Sequence, residues 1–509
     1  MTLTSCKRFD NVIFRVRGGR CVVSSAAPPF RTAFWPDIRA IGRDLGLEEC
    51  PAAAWEQPET QEQFLTALAR QVPGAQAFRP GTVGFLSPPA EIRRREQFRE
   101  RRAAVTFLGL PSRDVVLGAL ECAANRLKGR AFVEVQFRQW DALGDWAVGQ
   151  ERIGEVLSYL LQTKQFDGGV TVFTNLEESK DHLWEFLYDR PRVRLGWLAT
   201  DLATFSRREE FEHWCRNAPV FENLRRLSDS GAWPCILLPT SQANTRLLPE
   251  LVLALIEVTR GGTVEIASAA MLTSPADRGL RILPSPNSSF SLGERAPEGQ
   301  ATAYGSRSQD ATHDSSQLPD VDEFVAAMLA IYRNSRIPLR LVSPLSWVKA
   351  RIDADTALIG SPLAAGAEIA VLANGDLYAG EGCVGLDPWR LGNVLDGADP
   401  LAWERLDAIP EVFSRSTAPA QCKTCDWRYR CGGIDPAVRL LEAQRHIDTG
   451  GGWSPLCELY CAPRKALFEE MRWDSVEAAA AGTEKRPRER IELHPDGFTF
   501  EPAAATEEA

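Results

Sequence analysis

At 509 residues, the chain exceeds the roughly 250–300 residues at which one hydrophobic core stops growing, so two or three packed units are expected. It is 44% hydrophobic and 25% charged, as soluble globular proteins are, and its net charge of -10 argues against a general nucleic-acid binder. The sequence contains no membrane span and no signal-peptide core, which predicts a cytoplasmic protein. Its twelve cysteines are then expected to be thiols or metal ligands rather than disulfides.

Residues 1–80 are predicted to form a small α+β unit. A β-like run covers 11–16, and a helical pattern covers 61–69. Thr60 and Gln63 have the spacing of a capping box at the start of that helix.

Between residues 83 and 350, β-like runs alternate with helical patterns. This order predicts right-handed β-α-β units and a parallel sheet, either an open sheet or a partial or full β/α barrel, with ligands at the carboxyl ends of the strands. Ser112 stands where it could cap the first helix, and 284–319 reads as a flexible insertion. The predicted strands are 105–108, 132–137, 170–174, 193–198, 235–238 and 263–267, and the predicted helices are 113–127, 149–162, 181–187, 249–258 and 321–334.

The third predicted unit, 361–473, is rich in cysteine and glycine and has little regular periodicity. Such a segment usually needs a metal to hold it together. The last stretch, 475–509, is rich in Ala, Glu, Lys, Arg and Pro and is expected to be a solvated tail.

The strongest functional signal is a cluster of cysteines, CKTCDWRYRC at 422–431 and CELYC at 457–461. Three thiolates in a CxxC-plus-five arrangement can converge on one metal, and four would suit zinc or an iron–sulfur cluster. The alternative is a set of buried cysteines without a metal. The predicted metal ligands are Cys422, Cys425, Cys431 and Cys457, with Cys461 as the other candidate for the fourth position.

Aromatic side chains lie close to these cysteines in sequence. Trp427, Tyr429 and Trp453 are expected to form an apolar shell that keeps water from the metal. A peptide-binding role for some of them is the alternative.

This region resembles the SPASM domain of peptide-maturing radical SAM enzymes, and within that family most of all the maturases of the His-Xaa-Ser peptide systems. The match runs through NGDLYAGEGC at 374–383 and LGNV at 391–394 to the cysteines. The family uses seven cysteines for two auxiliary clusters. Leu363, Gly380 and Asp435 stand where ligands of the first cluster are expected, whereas the ligands of the second are retained. The resemblance therefore implies one [4Fe–4S] cluster, with zinc as the alternative.

The resemblance extends upstream to the barrel, where the family's key motifs are missing. FLSPPAEIRRR at 85–95 occupies the place of the CxxxCxxC motif that holds the SAM-cleaving cluster, and that motif occurs nowhere in the chain. Gln139-Trp140-Asp141-Ala142 replaces the Gly-Gly-Glu-Pro turn, while Thr174-Asn175 resembles the family's Thr-Asn pair. These losses argue against SAM binding and against independent radical SAM activity, and no catalytic residue is assigned.

The resemblance implies a partner role in ribosomal peptide modification, through substrate binding, complex assembly or electron relay. The expected partners are a precursor peptide, an active radical SAM maturase, or both, with Trp140 and 93–102 contributing to binding. The charge run at 91–102 is otherwise typical of a solvated helix face. An active iron–sulfur peptide-modifying enzyme with non-standard chemistry and a zinc-stabilised binding module are the alternatives.

Overall fold

The structure is a computed structural model. No helix in the described part of the chain is both long and apolar enough to cross a membrane. The described residues are 5–9, 12–17, 20–25, 32–35, 63, 102–126, 131–138, 146–162, 166–174, 176, 192–231, 234–268, 318–353, 368–381, 384, 390–396, 425–427, 431 and 455–480.

The N-terminal residues form an antiparallel sheet of four strands in the order β1-β2-β3-β4. The predicted β-like run at 11–16 corresponds to the second strand, and Gln63 is helical, but the rest of the predicted helix at 61–69 lies outside the described residues. The strands are β1 (Ser5–Phe9), β2 (Val12–Arg17), β3 (Arg20–Ser25) and β4 (Thr32–Trp35).

A second, larger sheet contains ten strands, seven of which form a parallel series in chain order. All six predicted strands of the barrel region are present. They are rich in β-branched and aromatic residues, as strands buried on both faces usually are. The strands are β5 (Arg102–Leu108), β6 (Ala131–Arg138), β7 (Phe166–Thr174), β8 (Val193–Leu198), β9 (Cys235–Thr240), β10 (Thr263–Ser268) and the short β11 (Val342–Ser343).

Helices between the strands cover one face of this sheet. The hydroxyl of Ser112 accepts a hydrogen bond from the backbone N–H of Val115 (3.3 Å), which confirms the predicted cap. The predicted helix at 181–187 lies outside the described residues. The helices are α1 (Arg113–Arg126), α2 (Trp146–Gln162), α3 (Arg208–Asn217), α4 (Pro219–Asp229), α5 (Leu248–Thr259), α6 (Val321–Arg333) and α7 (Leu345–Asp353).

Residues alternate between the two faces of the parallel strands. On β6, Val133, Val135 and Phe137 are buried in the core shared with the helices. The intervening Glu134, Gln136 and Arg138 lie on the opposite, inner face of the sheet, because successive strand residues point to opposite sides. The inner face of β6 is therefore polar.

The cysteine-rich region extends the same sheet. Strands β12 (Glu368–Leu372), β13 (Asp376–Tyr378) and β14 (Arg390–Asn393) form antiparallel pairs, and β12 lies parallel to β5. The strand order runs from β11 at one edge to β14 at the other, so within the described ranges the sheet is open. The predicted α/β class with a large parallel sheet is confirmed, in this open form.

A helix of 26 residues, α8 (Pro455–Ala480), follows the strands of the cysteine-rich region. The sequence analysis did not predict it, and it continues past residue 475, where the tail was predicted to begin. Glu477 in its last turn pairs with Arg20 of β3 at 2.8 Å, so this part of the helix is held by a tertiary contact. The tail prediction is therefore wrong for 475–480.

Candidate metal centre and barrel mouth

The side chain of Trp427 anchors the turn that lies between two of the predicted ligands. Its ring is buried and stacks on Phe468 of α8, with ring centroids 5.1 Å apart and planes 14° apart. Its carbonyl oxygen accepts a hydrogen bond from the backbone N–H of Cys431 at 2.7 Å. Cys425 and Cys431 are half-buried and pack against the same core. The predicted role of Trp427 in an apolar shell agrees with this position, whereas Tyr429 and Trp453 lie outside the described residues.

The other two cysteines lie on one face of α8. Cys457 and Cys461 are four residues apart, which places them one turn apart on the same side of the helix, and both are buried. Phe468 lies seven residues beyond Cys461 on that side, about 10 Å along the axis. The helix face that receives Trp427 therefore also carries both candidates for the fourth ligand.

Arg464 lies on this face, one turn after Cys461. Its guanidinium lies over the ring of Tyr460 (3.5 Å) and near that of Trp347 (5.7 Å), and it donates a hydrogen bond to the Tyr460 carbonyl at 2.7 Å. Its Nε is buried and has no hydrogen-bond partner among the residues that the structure describes. A buried cationic group beside two cysteines suits an anionic thiolate site.

The structure brings together only part of the predicted ligand set. Cys422 lies outside the described residues, and among the residues that are described no three acidic, histidine or cysteine side chains are close enough to hold a metal ion. Cys425 and Cys431 pack against the core that contains Trp427 and Phe468, and Cys457 and Cys461 are buried on one face of α8. These donors and the orphaned Arg464 Nε fit a thiolate-held metal in their chemistry.

Four cysteines upstream of this region have side chains that the structure describes. Burial raises the pKa of the Cys21 and Cys215 thiols to about 12, and that of Cys122 and Cys235 to about 11. A nucleophile needs the thiolate form, so these four side chains are unsuited to that role near neutral pH.

Gly380, where the resemblance expects a cluster ligand, has a backbone conformation that disfavours a side chain. Gly380 has a φ of +99°, a backbone angle that L residues rarely adopt, and its N–H donates to the carbonyl of Tyr378 at 2.9 Å. A cysteine would be strained at this position. Leu363 and Asp435 lie outside the described residues.

The NGDLYAG and LGNV segments hold the strands β12, β13 and β14 together. Asp376 accepts hydrogen bonds from Arg390 at 2.6 Å and from Asn393 at 3.1 Å. Gly375, at φ +88°, makes the turn, and a Cβ there would lie 2.7 Å from the Asn393 Oδ1. These motif residues are therefore structural.

At the carboxyl ends of the parallel strands, the protein's own side chains cover part of the inner face of the sheet. The guanidinium of Arg138 lies over the ring of Phe173 (4.7 Å) and donates a hydrogen bond to Glu381, just after β13, at 2.8 Å. The Phe173 ring in turn covers Gly196, where a Cβ would lie 2.6 Å from it. Ligands of parallel β/α sheets bind at the carboxyl ends of the strands. The contacts of Arg138 and Phe173 therefore reduce the space that is open to a ligand there.

The remaining predicted features of the mouth are only partly described. Thr174 is fully buried, and its hydroxyl accepts the backbone N–H of Leu176, so it stabilises the end of β7. Arg102 is the first residue of β5 rather than the end of a charged helix. The segments 85–95 and 139–142, the rest of the charge run, and Asn175 lie outside the described residues.

No family model matches the chain, and no curated protein sequence matches it. Among solved structures, it is similar to native anSMEcpe with bound AdoMet and Cp18Cys peptide, with a TM-score of 0.48 and 12% identity over 75% of this chain and 99% of the other. It is also similar to Streptococcus suis SuiB bound to S-adenosylmethionine, with a TM-score of 0.41 and 10% identity over 89% and 100% of the two chains. Similarity of this degree does not show the family of the chain.

Several important side chains could not be found from the sequence. Arg15, Phe468 and Arg464 lie in no motif, and they meet their partners only through tertiary packing. The one available signal is the alternation of residues on β2, which places Ile13 and Arg15 on the same face as Arg17.

Proposed function

We propose that this chain is a radical SAM/SPASM-like protein that binds one auxiliary [4Fe–4S]-type cluster and acts as a partner in ribosomal peptide modification. Its ligands are Cys422, Cys425, Cys431 and either Cys457 or Cys461. Such a cluster supplies one-electron transfer when bound. The partner is a precursor peptide or an active maturase, and the chain does not cleave SAM by itself.

The observation that carries this proposal is the stack of Trp427 on Phe468. It joins the turn containing Cys425 and Cys431 to the helix containing Cys457 and Cys461, which supports a single shared site. The proposal does not depend on the overall structural similarities.

Metal analysis of anaerobically purified protein tests the site. We expect about four irons and matching sulfide per chain, as for one cubane cluster. Replacing Cys422, Cys425 or Cys431 by Ser should release the metal, because each change removes a thiolate ligand. The matched controls Cys122→Ser and Cys235→Ser should leave the metal content unchanged.

The same measurements distinguish the alternatives. Zinc without iron would favour a zinc-stabilised binding module, and iron for two clusters would contradict the loss of the first ligand set. Metal loss from Cys122→Ser or Cys235→Ser, in protein that remains folded, would refute the ligand assignment.

The altered barrel mouth supports the partner role. Arg138 and Phe173 cover part of the space where ligands of such sheets bind, which favours a macromolecule at the rim over a small molecule inside. Recovery of a precursor peptide or maturase with the tagged protein from its host should fall when Trp140 is changed to Ala. Unchanged recovery with this folded variant, and with Arg93, Arg94 and Arg95 changed to Glu, would remove support for binding at this face.

A further inference from the structure

The N-terminal sheet binds α8 through one face of β2 and β3. In the antiparallel register, Arg17 of β2 lies directly opposite Arg20 of β3, and Arg15 lies directly opposite Val22. The four side chains therefore lie on the same side of the sheet. We call these four residues the docking face.

Each residue of the docking face has a partner on α8. Val22 packs on Trp473, and both side chains are completely buried. The three arginines pair with glutamates spaced along the helix: Arg15 with Glu469 at 2.7 Å, Arg17 with Glu470 at 2.8 Å and Arg20 with Glu477 at 2.8 Å.

Arg15 differs from the other two arginines because it also reaches the cysteine segment. Its side chain is 1% exposed, its charge lies 3.9 Å from the carboxylate of Asp426, and its guanidinium lies over the ring of Trp427 at 4.4 Å. It also donates a hydrogen bond to the hydroxyl of Ser24 at 2.9 Å. Asp426 and Trp427 directly follow Cys425 in the chain.

A buried guanidinium is stable only while its charge is compensated. Asp426 and Glu469 supply that compensation from two different segments, one on the cysteine turn and one on α8. If the cysteine turn shifts, Arg15 loses both Asp426 and its aromatic contact. The turn loses a cation and a packing surface if the N-terminal sheet undocks.

We propose that Arg15 couples metal retention at the cysteine site to the docking of the N-terminal sheet on α8. The inference rests on the proposed metal site and adds a positioning residue that belongs to none of its cysteine motifs. Coupling of this kind is reciprocal, so the metal stabilises the docked sheet by the same factor by which docking tightens metal binding.

Two measurements on the full-length chain test the coupling. The first is the rate of metal release to a chelator from the wild type and from Arg15→Met, which retains an apolar stem and lacks the charge. We expect release to be about tenfold faster, equivalent to ~1.4 kcal/mol of coupling. Arg208→Met is the matched control, because Arg208 forms an ion pair with Glu212 on α3 and lies outside the docking face, and it should release metal at the wild-type rate.

The second measurement is amide hydrogen exchange in β2 and β3 of the wild type, with and without metal. Exchange there should rise about tenfold when the metal is removed, while exchange in the distant strands β8 and β9 stays constant. This readout needs no variant, so it decides the question even if Arg15→Met does not fold.

The outcomes separate the inference from the function it rests on. A wild-type protein that holds no metal contradicts the proposed function. A wild type that holds metal, but whose release rate is unchanged by Arg15→Met, overturns the coupling alone. Unchanged exchange of β2 and β3 on metal removal also overturns it.

Discussion

The buried thiol of Cys21 illustrates how much one side chain depends on its surroundings. It lies 1% exposed on β3, and burial raises its pKa to about 12. Because the pKa of this thiol is higher in the folded state than in the unfolded state, its contribution to stability is fully present at a pH below the unfolded pKa. That contribution is lost as the pH rises towards and through the folded pKa.

We therefore expect the free energy of unfolding to fall with pH above about 9, by roughly 3 kcal/mol from Cys21 alone between pH 8 and pH 11. Urea unfolding at several pH values measures this decline. Cys21→Ser has no titrating group at this position, so its decline should be shallower by that amount. If the stability of the variant falls as steeply with pH as that of the wild type, Cys21 ionises as readily in the folded state as in the unfolded state.

At the scale of elements, the contact between β6 and the segment after β13 links the barrel sheet to the cysteine-rich region. Arg138 and Glu381 are partly buried and 2.8 Å apart. Unlike an exposed pair, they lose little to solvent screening, so their interaction should contribute measurably.

A double-mutant cycle with Arg138→Met and Glu381→Gln should give a coupling of about 1 kcal/mol in urea unfolding. The exposed pair Arg208 and Glu212 on α3, at 2.7 Å, is the matched control and should give a smaller coupling, because water and salt screen it. Equal coupling in the two pairs would mean that the Arg138 contact is only a surface ion pair.

The strands and helices differ in how far the sequence predicts them. Strands such as β9, CILLPT, are short apolar runs bounded by turns, so the pattern alone identifies them. Helix α3 was missed because it is mostly polar, with Phe211 its one fully buried residue. Helix α8 was missed because cysteines and the internal Pro463 hide its helical period.

The site was predictable to the extent that it depends on local motifs. The CxxC spacing identifies Cys422, Cys425 and Cys431 as candidate ligands, which stays a prediction. Arg15 could not be identified, because arginine is normally a surface residue and its partner Glu469 lies 454 positions away. Only tertiary packing creates such a buried charge pair.

For the whole molecule, the absence of the CxxxCxxC motif leads to a simple expectation. The reduced protein, incubated with SAM, should form no more 5′-deoxyadenosine than a protein-free control, because the chain lacks the three thiolates that would hold a SAM-cleaving cluster. Chromatography of the reaction measures this product. Protein-dependent formation of deoxyadenosine, lost on heat denaturation, would contradict the partner role.

The docking of the first strands on the last helix also affects how the protein is made. A ribosome synthesises Arg15 454 residues before Glu469, a delay of roughly 20–90 s at typical rates of elongation. Strand β5 is likewise synthesised long before β12, its neighbour in the sheet. The nascent chain must therefore keep its first sheet undocked until α8 has been made, and the edge of β5 unpaired until β12 has been made. Unpaired edges are where aggregation starts. Binding by a chaperone during translation is the consequence we expect for this chain.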